Sequence, residues 1–179
     1  SGALIGKQHF APFTASLDCG KMSYICLRSN TMSVQSWLKE FYPVECTDAS
    51  IKTNLQAVQH SLKKWRGLTD QNLHRHRVDV NATNHVRSGR LLLGRSNGGL
   101  RINDQSCSLC QKHLIATGCG TCPITRVTGK RCDQKTYDKV NDVWKSPWHE
   151  FQDNINPEPM IAILERVEAH LLKEQKRKR

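Results

Sequence analysis

The sequence predicts an α+β fold, a mostly helical small domain with one β-hairpin and a cysteine-rich loop region, and three patterns predict it. Apolar residues recur at helical spacing in residues 33–41, 48–66 and 156–171. Two short apolar runs flank Asn97-Gly98-Gly99, a strong turn signal between strands. Five of the eight cysteines crowd into the segment from Cys107 to Cys132.

In chain order, residues 1–31 show no clear period and are read as an N-terminal extension, disordered or foreign to the native chain. Met22 and Met32 both fit a natural start, which would place Cys19 outside the native protein. Residues 32–172 are read as a single metal-stabilised domain and residues 173–179 as a basic tail. Val34, Trp37, Leu38 and Phe41 form a short helix behind the capping Ser33, ended by Pro43. The strongest stripe follows: Ile51, Leu55, Val58, Leu62 and Trp65 share one helix face, with Asp48 as N-cap and Gly67 as a left-handed C-terminal cap. Lys52, Lys63, Lys64 and Arg66 fall on the opposite face, expected to be solvated. Thr69 caps another short helix to about His76.

Leu91, Leu92 and Leu93, then Leu100 and Ile102, form the hairpin that leads into the cysteines. Beyond them Trp144, Trp148 and Phe151 cluster around Pro147 as anchors over the core edge. Asn156 caps a last helix with Pro157 in its first turn and Met160, Leu164, Val167 and Leu171 on one stripe.

The cysteines read Cys107-Ser-Leu-Cys110, eight residues, Cys119-Gly-Thr-Cys122, nine residues, Cys132. Two C-x2-C turns bring four thiolates around one tetrahedral ion, so Cys107, Cys110, Cys119 and Cys122 are the expected ligands of a structural Zn2+. The region would be of zinc-knuckle type, with Gly118 and Gly120 giving the turns their freedom and Pro123 stiffening the exit. Disulfides and an iron–sulfur cluster are the weaker alternatives, the first because the chain reads as unexported, the second because nothing suggests an electron-transfer partner. Cys132 is an alternate ligand, and His113 a further one read more simply as a surface residue. Four protein ligands close the site, which argues for a scaffold and against catalysis at the metal. Cys26 and Cys46 read as ordinary small apolar residues.

The formal charge of +11 favours a polyanionic partner, and it is regional. Residues 81–135 carry nine basic and two acidic side chains, a surplus of +7, whereas residues 136–170 carry three and seven. Arg87, Arg90, Arg95, Arg101, Lys112, Arg126, Lys130 and Arg131 are therefore the candidate nucleic-acid contacts. No apolar stretch reaches the ~18 residues of a membrane span, so no membrane partner is expected. A phosphate-binding loop, a dinucleotide fingerprint, a nucleophile elbow and H-E-x-x-H are all missing.

WLKEFYP from Trp37, HSLKKWRGLTDQNL from His60, CSLC…CGTCPITRVTGKRC, Ser146-Pro147-Trp148 and NPEPMIAIL from Asn156 together resemble a group of small uncharacterised tailed-bacteriophage proteins, over about residues 33–165. The resemblance implies a phage origin and action in the host bacterial cytoplasm, and no established activity. The leading expectation is a non-enzymatic zinc protein that binds nucleic acid through the basic hairpin and knuckles. A phage protein that docks on and inhibits a host enzyme or defence complex is the rival. A third is a small metal-dependent endonuclease using His74, His76 and His85 near Asp79, Asn81 and Asn84.

Overall fold

Helical stripes and short apolar runs alternate along the chain, and the computed structural model turns them into helices packed with two small antiparallel sheets; it describes residues 34–82, 91–94 and 99–179. The first helix, α1, spans residues 34–41 and buries Trp37 and Phe41, with Pro43 just beyond its end. The expected cap, Ser33, and the whole N-terminal extension with Cys19, Met22, Cys26 and Met32 lie outside the described residues.

Helix α2, Asn54–Gly67, starts later than its apolar stripe suggests. Thr53 and Gln56 form a capping box, the Thr53 Oγ1 accepting the Gln56 N–H at 3.1 Å and Gln56 Oε1 accepting the Thr53 N–H at 2.9 Å. Asp48 caps no helix; its carboxylate accepts the Ser50 N–H at 2.8 Å in a local turn. Gly67 is the last helical residue, not a left-handed cap. Its missing side chain serves close packing, because a Cβ there would lie 2.5 Å from Phe41 Cγ and 2.6 Å from Trp37 Cζ2. Trp37 Nε1–H also donates to the Gly67 carbonyl at 2.7 Å, so α1 is seated on the end of α2.

Helix α3, Asp70–His76, ends on Arg77 in the left-handed conformation. Strands β1 (Val80–Ala82), β2 (Leu91–Leu93) and β3 (Leu100–Ile102) make an antiparallel meander in which Leu92 faces Arg101 and Leu93 faces Leu100. The hairpin expected of β2 and β3 is present, β1 adds a third strand, and Asn97 and Gly98 of its turn lie outside the described residues. Leu93 and Ile102 point into the core.

The cysteine segment folds as more than a loop. A 3-10 turn, Asp104–Ser106, leads into α4 (Ser108–Thr117); a second 3-10 turn, Cys119–Thr121, leads into α5 (Pro123–Thr128). Gly118, at φ 70°, makes the break between α4 and the second turn, and Pro123 occupies the first turn of α5, where its missing N–H is not needed. Strands β4 (Thr136–Asp138) and β5 (Val143–Lys145) then form a separate two-stranded ribbon. Helix α6, Pro147–Asn154, is capped by Ser146, and α7, Glu158–Arg177, closes the chain. The N-cap position of α7 is Pro157, one residue beyond the expected Asn156, and Pro159 is the proline in its first turn; the Asn156 side chain accepts the Glu158 N–H at 3.1 Å from just before the cap. The basic block from Lys173 continues α7 to Arg177 as exposed helix.

Helix α2 packs most extensively on α7, with α4 on another side of α2 and α5 and α6 against α7. Val58, Leu62 and Trp65 of α2 share this core with Leu164 and Val167 of α7, each fully buried apolar side chain contributing about 1.5–3 kcal/mol. Trp65 stands edge-on to Phe151 at 4.7 Å between ring centroids and to Trp148 at 6.1 Å, the favoured aromatic geometry. Trp144 does not join them. It sits on β5 with 63% of its surface exposed, so the expected trio of anchors is a pair, and the third ring belongs to the ribbon. Among the described residues, no helix is long and apolar enough to cross a membrane.

Candidate metal centre

Cys107 caps the start of α4 and Cys110 lies in its first turn. Cys119 opens the second 3-10 turn, Cys122 caps α5, and Cys132 follows in the turn beyond it. All five line one small cavity of about 30 Å³, together with Trp65, Leu109, His113, Ile124, Thr125, Arg131 and Met160.

What fixes the first cysteine pair is a stripe on α2 that apolar periodicity does not reveal. Ala57, His60, Ser61 and Lys64 recur at helical spacing, and all four are buried. His60 Nδ1 meets the Ser108 hydroxyl at 2.5 Å, and its Nε2 meets the Val44 carbonyl at 2.9 Å. The carbonyl can only accept, so Nε2 carries the proton and Ser108 Oγ–H donates to Nδ1. Ser61 Oγ lies 3.8 Å from Cys107 Sγ. Lys64 Nζ donates to the Ser106 carbonyl at 2.8 Å and to Ser106 Oγ at 3.2 Å. Three consecutive residues, Ser106, Cys107 and Ser108, are thus gripped by one face of α2. Lys64 therefore does not belong to a solvated face: it is 1% exposed, because α2 is covered by α4 as well as by α7.

The electrostatics follow from burial. The hydrogen bond from Cys110 holds Cys107 well below the ordinary thiol range against its burial, helped by the Lys64 ammonium and the Cys110 backbone N–H. The same hydrogen bond, with burial, raises Cys110. Burial pushes Cys122 up to about 11, although the N–H groups of Ile124 and Thr125 donate to it, and pushes Cys132 up to about 12, with the Cys107 charge adding to the rise. Burial lowers Lys64, and the thiols of Cys107, Cys110, Cys46 and Cys132 oppose that shift. The protein's own groups therefore support a thiolate at Cys107, while burial disfavours ionisation of Cys110, Cys122 and Cys132.

Among the described residues, no three His, Cys, Asp or Glu side chains stand as a ready group to hold an ion. The thiols share a cavity without being closed around a centre. Two further observations bear on whether a metal fits there. The donors are five soft sulfurs, the set that selects zinc over hard cations. Two buried polar atoms on residues lining the same cavity, Trp65 Nε1 and Thr125 Oγ1, have no hydrogen-bond partner among the described residues. The donor set fits a thiolate-bound ion in its chemistry, while the thiols are not gathered around a centre.

His113 is half-buried, not a plain surface residue. Its Nδ1 meets Thr121 Oγ1 at 3.0 Å and its Nε2 meets Asn54 Oδ1 at 3.1 Å, tying α4 to the second 3-10 turn and to the start of α2. Burial lowers its pKa, and the charges of Lys112 and Arg126 lower it further. Arg131 lines the cavity directly, and Lys130 precedes it in the same exposed turn. Of the expected contacts, Lys130 and Arg131 are thus neighbours at the cavity, whereas Lys112 is exposed on α4 and Arg126 on α5. Lys112 is partly committed, its Nζ donating to the Lys52 carbonyl at 2.8 Å. Arg101 is exposed on β3, a separate element, and Arg87, Arg90 and Arg95 lie outside the described residues.

Among the described residues, His74 and His76 do not share a site. His74 borders an open cleft with Asp70, Arg77 and Asp79, whereas His76 is buried and bonded to Ser36 Oγ at 3.1 Å and Glu40 Oε2 at 3.0 Å. His85 and Asn84 lie outside the described residues. Cys46 is buried as expected, its Sγ–H donating to the Gln105 carbonyl at 2.8 Å. The chain matches no family model, no curated protein and no solved structure.

Proposed function

We propose that the protein binds nucleic acid through a cationic surface built over a structural zinc–thiolate centre, and that it is not an enzyme. Cys107, Cys110, Cys119 and Cys122 would hold the ion, with Cys132 as the alternate fourth donor. Bound zinc would supply a cross-link between α4, α5 and the turns around them. The protein's own residues do the rest: Lys64 offsets the negative charge of the thiolates, and the α2 stripe holds Cys107 in place. The observation that supports the reading is that Arg131, with Lys130 beside it in the chain, lines the thiol cavity, so a bound ion would order the segment that carries both cations. Cations on a metal-held rim contact phosphates without needing a large core of their own. Action in a bacterial cytoplasm is the setting that the phage resemblance implies.

Anisotropy titrations of labelled DNA and RNA across salt concentrations test this. Binding should weaken steeply with salt, and Arg101, Arg126, Lys130 and Arg131 changed together to Gln should make the salt slope on a duplex shallower by about 0.9 for every phosphate that is no longer neutralised. Equal binding by the wild type and that variant at low ionic strength sinks the reading. A protein partner captured from nuclease-treated bacterial lysate, with no nucleic-acid binding, supports the docking alternative instead.

A further inference from the structure

The ribbon of β4 and β5 carries a feature that the metal centre does not use. Tyr137 and Trp144 face each other across the two strands, their ring centroids 5.5 Å apart and tilted by 51°. Trp144 is 63% and Tyr137 46% exposed, and Val140 at the turn is 91% exposed. An indole left in water forgoes the largest single gain that core burial offers, although this chain has a core in which Trp65 and Trp37 are buried. The pair is also held in place, since the Tyr137 hydroxyl donates to the Asp142 carboxylate.

The surroundings select the occupant. Lys135 and Lys139 flank Tyr137 two residues to either side and Lys145 follows Trp144; all three are exposed, and none forms an ion pair among the described residues. The acids of the ribbon are engaged locally. Asp138 accepts the Val140 N–H at 3.0 Å and the Asn141 amide at 2.7 Å, Asp142 holds Tyr137, and Asp133 pairs with Arg131 at 3.2 Å. On the other face of the ribbon, Thr136 borders a separate open cleft of about 450 Å³ lined by Lys130, Arg131 and Arg166, while Lys135 and Lys139 share the face of the rings by strand alternation. Aromatic faces next to a cationic track match a strand whose bases are free to stack and whose phosphates run alongside. A duplex keeps its base faces covered and cannot use the rings.

We propose that Tyr137 and Trp144 form a base-stacking platform, flanked on the same face by Lys135 and Lys139, that makes the protein a single-strand binder. This rests on the nucleic-acid reading above and narrows it. The test is anisotropy with a labelled 15-nucleotide single strand and the duplex of the same sequence, on the full chain and on Trp144→Ala, Trp144→Phe and Tyr137→Ala. Circular dichroism of each variant checks that the fold is kept. The wild type should bind the single strand at least about tenfold tighter than the duplex. Trp144→Ala should weaken single-strand binding by about 5- to 100-fold, with duplex binding nearly unchanged and most of the affinity restored by Phe. If single strand and duplex bind alike, or if binding ignores Trp144 while still falling with the cation-to-glutamine variant, the platform is wrong and the broader reading stands. If neither nucleic acid binds at low salt, both fail together.

Discussion

A lysine ammonium inside a protein is tolerated only where hydrogen bonds and opposite charge replace its water, and Lys64 has both in the Ser106 oxygens and the neighbouring thiols. His60, one turn earlier on the same stripe, meets burial in the opposite way, by staying neutral. Its burial first, and then the Lys64 charge, lower its pKa below the ordinary value of 6.5, while the Val44 carbonyl opposes the shift. As pH falls, the unfolded chain therefore takes up this proton before the folded chain does. The stability linked to neutral His60 is fully present above about pH 6.5, and it is lost as pH drops from there through the lower folded value. Thermal melts of wild type and His60→Gln between pH 7.5 and 5.5 check this. The wild-type advantage in Tm should shrink toward the acid end, and a gap that stays constant over the range would show that His60 does not titrate as described.

Between elements, the tightest joint is α1 on the end of α2, where Gly67 lets the Trp37 and Phe41 rings lie against the backbone. Gly67→Ala would raise helix propensity by about 1 kcal/mol, but overpacking against two buried rings costs about 1–3 kcal/mol, and both rings have covered positions that resist retreat. The net expectation is a loss of up to about 2 kcal/mol in urea unfolding with an unchanged m-value; a stabilised variant would mean that α1 moves aside freely. Elements with one strong apolar stripe, α2 and α7, and the β2–β3 hairpin are legible in the sequence, because periods of 3.6 and 2 survive there without competing signals. The start of α2 is harder to place because Asp48 and Thr53 are both good caps, and only the Gln56 partner of Thr53 distinguishes them. The ribbon is masked because nearness in sequence groups Trp144 with Trp148 and Phe151; the alternation of Tyr137 and of Val143-Trp144 about an Asn-Asp turn is the available cue. Likewise Ser146-Pro147 carries the N-terminal signature of α6. The α2 polar stripe is hidden for a physical reason: Ala57, His60, Ser61 and Lys64 add no apolar contrast, so a face buried by hydrogen bonds reads as a face in solvent.

Across the whole molecule, the cysteines and the core are not separate systems, because the thiol cavity is also lined by Trp65, Leu109, Ile124, Met160 and Leu164 of the α2–α7 packing. The five thiols are legible as a group from their spacing, but the spacing does not show which four would ligate. Cys132 arrives from the turn beyond α5, and its carbonyl accepts the Trp148 N–H at 3.1 Å, so the fifth sulfur is tied to α6 independently of any ion. An ion bound in the folded state alone adds stability by mass action, about 4 kcal/mol when free metal exceeds the dissociation constant a thousandfold. Elemental analysis of the purified chain should therefore find one zinc per molecule. A strong chelator should lower Tm and change the fluorescence of Trp65, which borders the cavity. Serine replacements at Cys107, Cys110, Cys119 and Cys122 should each reduce the bound metal, whereas Cys132→Ser should keep it, its carbonyl bond to Trp148 being a backbone contact that serine preserves. Loss of metal in Cys132→Ser with retention in one of the other four would move Cys132 into the ligand set. A metal-free chain that melts at the same temperature with and without zinc would remove the centre, and with it the proposed ordering of the Lys130-Arg131 segment by a bound ion.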